Sequence, residues 1–138
     1  MSVEIISSID ELGLVYSYLN DNLEDNSIIF LNGDLASGKT TLTSYIVKAK
    51  NLSDGATSPT FSLQNSYDDK LFHYDLYRKS YNEFMEMGLF EEFEKSGWHI
   101  VEWGSDSLQE FLQSAGYNLI TIDITPLKDK RKYIIKRD

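Results

Sequence analysis

Ser27-Ile28-Ile29-Phe30-Leu31-Asn32-Gly33-Asp34-Leu35-Ala36-Ser37-Gly38-Lys39-Thr40-Thr41-Leu42 is the stretch whose reading decides the fold. Ser27 to Leu31 is an apolar, β-branched run, short enough for a strand and apolar enough for one buried on both faces, as parallel sheets require. Leu42, Tyr45, Ile46 and Ala49 then recur at helical spacing. Between strand and helix, Gly33 to Thr40 fits G-x-x-x-x-G-K-[ST] at every fixed position. Glycines let the backbone wrap closely around a phosphate chain. Successive amides from Asp34 through Leu35, Ala36, Ser37, Gly38, Lys39 and Thr40 to Thr41 can point inward as an anion nest, with the positive end of the helix behind them. Lys39 supplies a mobile charge for the β- and γ-phosphates, and the Thr40 hydroxyl is placed to hold Mg²⁺.

The rest of the chain supports an α/β fold of the P-loop type, three-layered, with a parallel core sheet and antiparallel additions. Val3 to Ile6 reads as a short strand. Ser8-Ile9-Asp10-Glu11 has capping-box spacing ahead of a helix from Leu12 to about Asn20. Phe61 to Tyr67 and Leu71 to Asp75 alternate around an Asp68-Asp69 corner, the pattern of a hairpin. Ser80-Tyr81-Asn82-Glu83 repeats the capping-box spacing before short helical pieces broken near Gly88. Trp98 to Trp103 reads as a buried strand, and Leu108, Phe111, Leu112 and Ala115 as a helix closed by Gly116. Asn118 to Thr125 and Tyr133 to Lys136 form a last strand pair around the basic turn Lys128 to Lys132.

Composition sets the limits. The chain has 138 residues, one domain of ordinary size spanning 1–138. Its net charge of −9 repels phosphate backbones and argues against a free-standing binder of DNA or RNA. The absence of cysteine removes disulfides, thiolate nucleophiles and thiolate metal sites, and two histidines are too few for a multi-histidine centre. No apolar run approaches the ~20 residues of a membrane span, and Met1 to Glu4 lacks the character of a signal peptide. A cytoplasmic location with no membrane contact is the expectation.

A P-loop also needs an acid for the metal at the end of a neighbouring strand. Glu102 follows the apolar His99-Ile100-Val101, and Asp75 follows Leu71 to Tyr74. Either could ligate directly, act through water, or be a solvated strand end. Thr57-Ser58-Pro59-Thr60 lies where switch loops sit; a hydroxyl such as that of Thr60 could sense the γ-phosphate and the metal, or the segment is a polar loop ended by proline. Arg78 and Lys79 could neutralise phosphate charge or serve the surface. His73 reads as a packed or partner-facing residue rather than a base. Arg131 could stack on an adenine or belong to an ordinary turn.

Taken together, Leu31 to Leu35 running into Gly38 to Leu42, then Ser58-Pro59-Thr60-Phe61, His73-Tyr74-Asp75-Leu76-Tyr77-Arg78 and Val101-Glu102-Trp103 resemble the TsaE (YjeE) family across residues 3 to 137. The chain departs from the family pattern at Ala36-Ser37, where the family usually has Gly-Ala, and at Gly104-Ser105 after the Glu-Trp pair. The resemblance implies ATP or ADP binding with Mg²⁺ and slow hydrolysis. It places Thr40 and Glu102 on the metal side with Asp75 close by, so that Lys39, Glu102 and Asp75 carry the catalysis. It also implies partnership with the TsaB–TsaD pair, which modifies tRNA at the adenosine beside the anticodon, so that this chain meets tRNA only indirectly and resets or gates its partners. The residues supply no strong base, so the chain alone should be a poor ATPase that a partner completes. A GTPase switch would need Asn-Lys-x-Asp, which does not occur. A small-molecule kinase would need an acceptor pocket and an arginine-bearing lid. An adaptor in which nucleotide binding rather than hydrolysis matters is the serious alternative.

Overall fold

A computed structural model describes residues 2–34, 37–53, 56–57 (backbone only), 63–77 and 79–137. Eight strands form one mixed sheet in the order β1-β8-β7-β2-β6-β5-β4-β3. In chain order they are β1 (Ser2–Ser7), β2 (Ser27–Asn32), β3 (Ala56–Thr57), β4 (Gln64–Tyr67), β5 (Leu71–Asp75), β6 (Trp98–Glu102), β7 (Leu119–Pro126) and β8 (Arg131–Arg137). The helices are α1 (Gly13–Asn22), α2 (Lys39–Ala49), α3 (Tyr81–Glu86) and α4 (Asp106–Ser114), with 3-10 turns at Ile9–Glu11 and Leu89–Glu94.

The parallel core is β7-β2-β6-β5, and the antiparallel additions are β8 and β1 on one side and β4 and β3 on the other. Strand β2 is flanked in parallel by β6 and β7 and is buried from Ser27 to Leu31, as its unbroken apolar run requires. Alternation divides its side chains between two cores. Ile29 and Leu31 join Ile100, Ile120 and Ile122 beneath Val15 and Leu19 of α1 and Leu42 and Ile46 of α2. Ile28 and Phe30 join Phe72, Tyr74 and Val101 against Phe84 of α3, Phe93 of the second 3-10 turn, and Leu108 and Leu112 of α4. The result is three layers, helices over both faces of the sheet.

The second core carries a closed polar chain. His99 Nε2–H donates to the Lys95 carbonyl (2.8 Å), so its Nδ1 accepts from the Tyr74 hydroxyl (2.7 Å), which accepts from Gln64 Nε2 (3.2 Å). Burial lowers the pKa of His99 and raises that of Tyr74.

Several local expectations are corrected. Ser8 does not cap a helix with its hydroxyl. The chain makes a 3-10 turn first, and Ser8 Oγ donates to the Glu11 carboxylate at 2.8 Å. Helix α1 runs to Asn22, two residues beyond the expected end near Asn20, because Leu23 N–H closes its last turn on the Leu19 carbonyl. Trp103 is not in β6. It turns to φ 62° directly after Glu102. Arg131 and Lys132 do not belong to the turn after β7. They open β8, since antiparallel pairing with Pro126 and Thr125 on one side and Ser7 and Ile6 on the other draws them into the sheet. The Ser80 box forms in full, and Asp68 and Asp69 both take positive φ at the β4–β5 corner. Phe61 and Ser62, read as the start of β4, lie outside the described residues.

Candidate functional site

The site lies at the C-terminal ends of β2, β5 and β6, where α2 begins. Side chains Ser80 and Ser105 cap α3 and α4, but α2 is preceded by Gly38, which has no side chain to offer. Its first amides are therefore left for a ligand. Gly38 adopts φ 102°, a conformation that favours glycine, and a Cβ there would stand 2.6 Å from Arg131 Nη1. At Gly33 the reason is close approach: a Cβ would meet Ser37 Oγ at 2.4 Å and the Ile124 carbonyl at 2.9 Å.

Lys39, the first residue of α2, is only 4 % exposed. Its ammonium donates back to the carbonyls of Gly33 (2.5 Å) and Asp34 (2.9 Å) and lies 4.0 Å above the centre of the Trp103 ring. Burial lowers its pKa, against the opposing pull of Glu102, Asp34 and Asp75. Trp103 in turn packs on Tyr77, ring centres 5.0 Å apart.

The acids follow from register. Asp75 of β5 pairs with Glu102 of β6, so both project to the sheet face that α2 covers, and His73 shares that face two residues earlier. Thr40 Oγ1 lies 3.3 and 3.4 Å from the two Glu102 oxygens. His73 Nε2 lies 2.5 Å from Glu102 Oε2, with both residues buried. Asp75 is exposed and accepts the Tyr77 amide at 3.1 Å. Gly38, Lys39, Thr40, Thr41, Asp75, Glu102, Trp103 and Arg131 line one hollow of about 260 Å³.

Of the buried polar atoms without a hydrogen-bond partner among the described residues, two lie beside the loop, the Ser37 hydroxyl and Arg131 Nη1. Both sit where an anion would meet the loop, one against Gly33 and one against Gly38. A buried polar atom without a partner is costly, and a bound phosphate chain would satisfy both. No three His, Asp or Glu side chains among the described residues form a metal cage.

Of the residues singled out by sequence, the structure brings Lys39, Thr40, Thr41, Gly38, Asp75, Glu102 and Arg131 to one hollow. Gly33, Asp34 and Ser37 border it through the loop. Leu35, Ala36, Ser58, Pro59, Thr60 and Arg78 lie outside the described residues, as does the Thr57 side chain. Lys79 pairs instead with Glu83 at 3.6 Å. The contact sequence reasoning missed is His73 with Glu102. His73 and Asp75 sharing a face was readable from their spacing, but the neighbouring strand was not.

A glycine-closed loop between a buried parallel strand and an uncapped helix, with lysine, threonine and a strand-end acid converging on it, defines a P-loop-type nucleotide-binding protein. The family model described as threonylcarbamoyl adenosine biosynthesis protein TsaE matches residues 6–134, and the chain belongs to that family, which serves threonylcarbamoyladenosine biosynthesis in tRNA. A Rickettsia conorii tRNA threonylcarbamoyladenosine biosynthesis protein TsaE is 34 % identical over 134 residues, covering 92 % of this chain and 73 % of its own. A Treponema pallidum protein of the same name is 31 % identical over 115 residues, covering 81 % and 82 %. The crystal structure of Bacillus subtilis YdiB is similar in fold, with a TM-score of 0.68 and 23 % identity over 99 % of this chain and 86 % of that one. Among the described residues no helix is long and apolar enough to cross a membrane.

Proposed function

We propose that this chain, as one domain in the cytoplasm, binds ATP and hydrolyses it slowly, and that the cycle drives or resets a TsaB–TsaD complex during tRNA modification. The observation that carries the reading is the convergence of Lys39, Thr40 and Glu102 at the uncapped start of α2, with Thr40 Oγ1 3.3 Å from Glu102 Oε1. The loop amides, the Ser37 hydroxyl and Lys39 hold the phosphates, and Arg131 reaches the nucleotide from β8. Thr60, which lies outside the described residues, is proposed as a further nucleotide contact. Thr40 and Glu102, with Asp75 beside them, are the residues that would hold Mg²⁺, which spreads charge from the γ-phosphate oxygens when bound. Water attacks the γ-phosphorus in line while the bond to the bridging oxygen breaks, giving ADP and phosphate. Catalysis is positioning and charge neutralisation, with Lys39 as the mobile cation. No histidine is free to act as base, because His73 is engaged with Glu102 and His99 lies on the opposite face of the sheet.

The test is ATP turnover by the chain alone and with the TsaB–TsaD pair, using Lys39→Ala and Glu102→Gln. The expected result is turnover well below ~10 per second alone, a rise with the pair, and loss in both variants. Nucleotide binding without stimulation, together with full tRNA modification by Glu102→Gln, would transfer the role to an adaptor that needs only to bind. Turnover of ~10 per second by the chain alone would refute the partner-completed site.

A further inference from the structure

The carboxylate of Glu102 is held from two directions. Thr40 Oγ1 lies almost equally far from both its oxygens, at 3.3 and 3.4 Å. His73 holds only Oε2, at 2.5 Å. A carboxylate accepts, so the imidazole donates Nε2–H. The two residues meet diagonally across parallel strands: His73 pairs with Ile100, two positions before Glu102. Both are almost wholly buried, His73 at 8 % and Glu102 at 4 % exposure. A glutamate has three side-chain torsions, and little in a strand end fixes the last two. Here a neighbouring strand fixes them. Among the described residues Oε2 is tied to the sheet, while Oε1 is bonded to Thr40 alone.

We propose that His73 is the positioning residue of this site, anchoring Glu102 Oε2 so that Oε1 and the Thr40 hydroxyl stand together as the pair offered to the cation of a bound nucleotide. The inference rests on the reading of Thr40 and Glu102 as the metal side. His73 touches neither nucleotide nor cation and acts through Glu102 alone. Partners in the shell outside a metal ligand typically govern metal affinity by ~10- to 100-fold.

The experiment measures ADP affinity by calorimetry, first in EDTA and then across a Mg²⁺ titration, for the wild type, His73→Ala and His73→Gln. The glutamine amide nitrogen stands the same number of bonds from Cβ as Nε2 and can donate across the same gap. In His73→Ala the Mg²⁺ concentration giving half the full gain in affinity should rise about 10- to 100-fold. Affinity in EDTA should stay within about twofold, and His73→Gln should recover most of the loss. If His73→Ala does not fold, His73→Asn, polar but one bond too short, replaces it against His73→Gln. A Mg²⁺ midpoint unmoved in a folded variant overturns the proposal alone. So does an equal loss of affinity with and without Mg²⁺, which marks a merely structural histidine, or a His73→Gln as impaired as His73→Ala. A wild type whose ADP affinity ignores Mg²⁺ overturns the metal-side reading and this proposal with it.

Discussion

Replacing Lys39 with methionine should weaken nucleotide binding and leave the fold as stable as before, or more so. The side chain keeps its length and apolar stem but loses the ammonium. On the ligand side, a charged hydrogen bond is worth about 1.5–3 kcal/mol, so affinity should fall roughly 10- to 150-fold. On the folding side, Lys39 is 4 % exposed, and burial depresses its pKa below the unfolded value. Between those two pKa values the unfolded chain binds more protons, so stability rises with pH there. At pH values below both, the whole penalty of burying the charge stands, and methionine removes it. The bonds lost are to the carbonyls of Gly33 and Asp34, which are half-buried and exposed, so water can replace the lysine. Unfolding free energy should therefore change by between zero and about +1 kcal/mol at pH 7, with any gain shrinking as the wild type is taken towards pH 10. Urea denaturation gives the second quantity and ADP calorimetry the first. A loss of 2 kcal/mol or more in stability would refute the reasoning, because Lys39 would then hold the loop together rather than wait for phosphate.

Two further outcomes concern the opposite face of the sheet. Tyr74→Phe removes a hydroxyl that serves both Gln64 and His99, leaving His99 Nδ1 buried without its donor. It should cost roughly 1.5–3 kcal/mol in urea denaturation with ADP affinity unchanged, and a cost under ~0.5 kcal/mol would show that the chain of bonds is not closed in solution. His99 has its pKa lowered by burial, so stability is full above the ordinary histidine value of ~6.5 and falls as pH drops below it, by at most ~1.4 kcal/mol per pH unit. Comparing urea midpoints at pH 7.5 and 5.5 in the wild type and in His99→Gln, which retains only His73, should show that part of the slope disappearing in the variant.

The fold was legible wherever one short segment carried its own reason. The run ending at Leu31, the glycines at 33 and 38 and the stripe from Leu42 specify strand, loop and helix without help from the rest. Ser80 and Glu83 form their box because a span of four residues suffices to make it. Ser8 and Glu11 have the same spacing, yet a 3-10 turn intervenes, because the register of α1 is set by Leu12, Val15 and Leu19 packing on the sheet and not by the serine. The acids at 75 and 102 were legible as strand ends, but nothing local says that β5 and β6 are neighbours. That adjacency is decided by tertiary packing, and it alone brings His73 to Glu102. Arg131 was misplaced for a related reason, since a basic segment reads as a turn until β1 is known to lie against it.

Strand β1 pairs with β8 from Ser2 opposite Lys136 to Ser7 opposite Arg131. Translation delivers the first of these strands long before the second. At about 5–20 residues per second, roughly 6–26 seconds separate Ser2 from Arg131 on the ribosome. Through that interval β1 has no neighbour to pair with, while the loop from Gly33 and the acids at 75 and 102 are already made. Arg131, whose guanidinium lies against Gly38, is the last piece to be seated. A nascent chain therefore cannot complete the hollow between Gly38 and Arg131 until β8 has emerged and taken its place between β7 and β1.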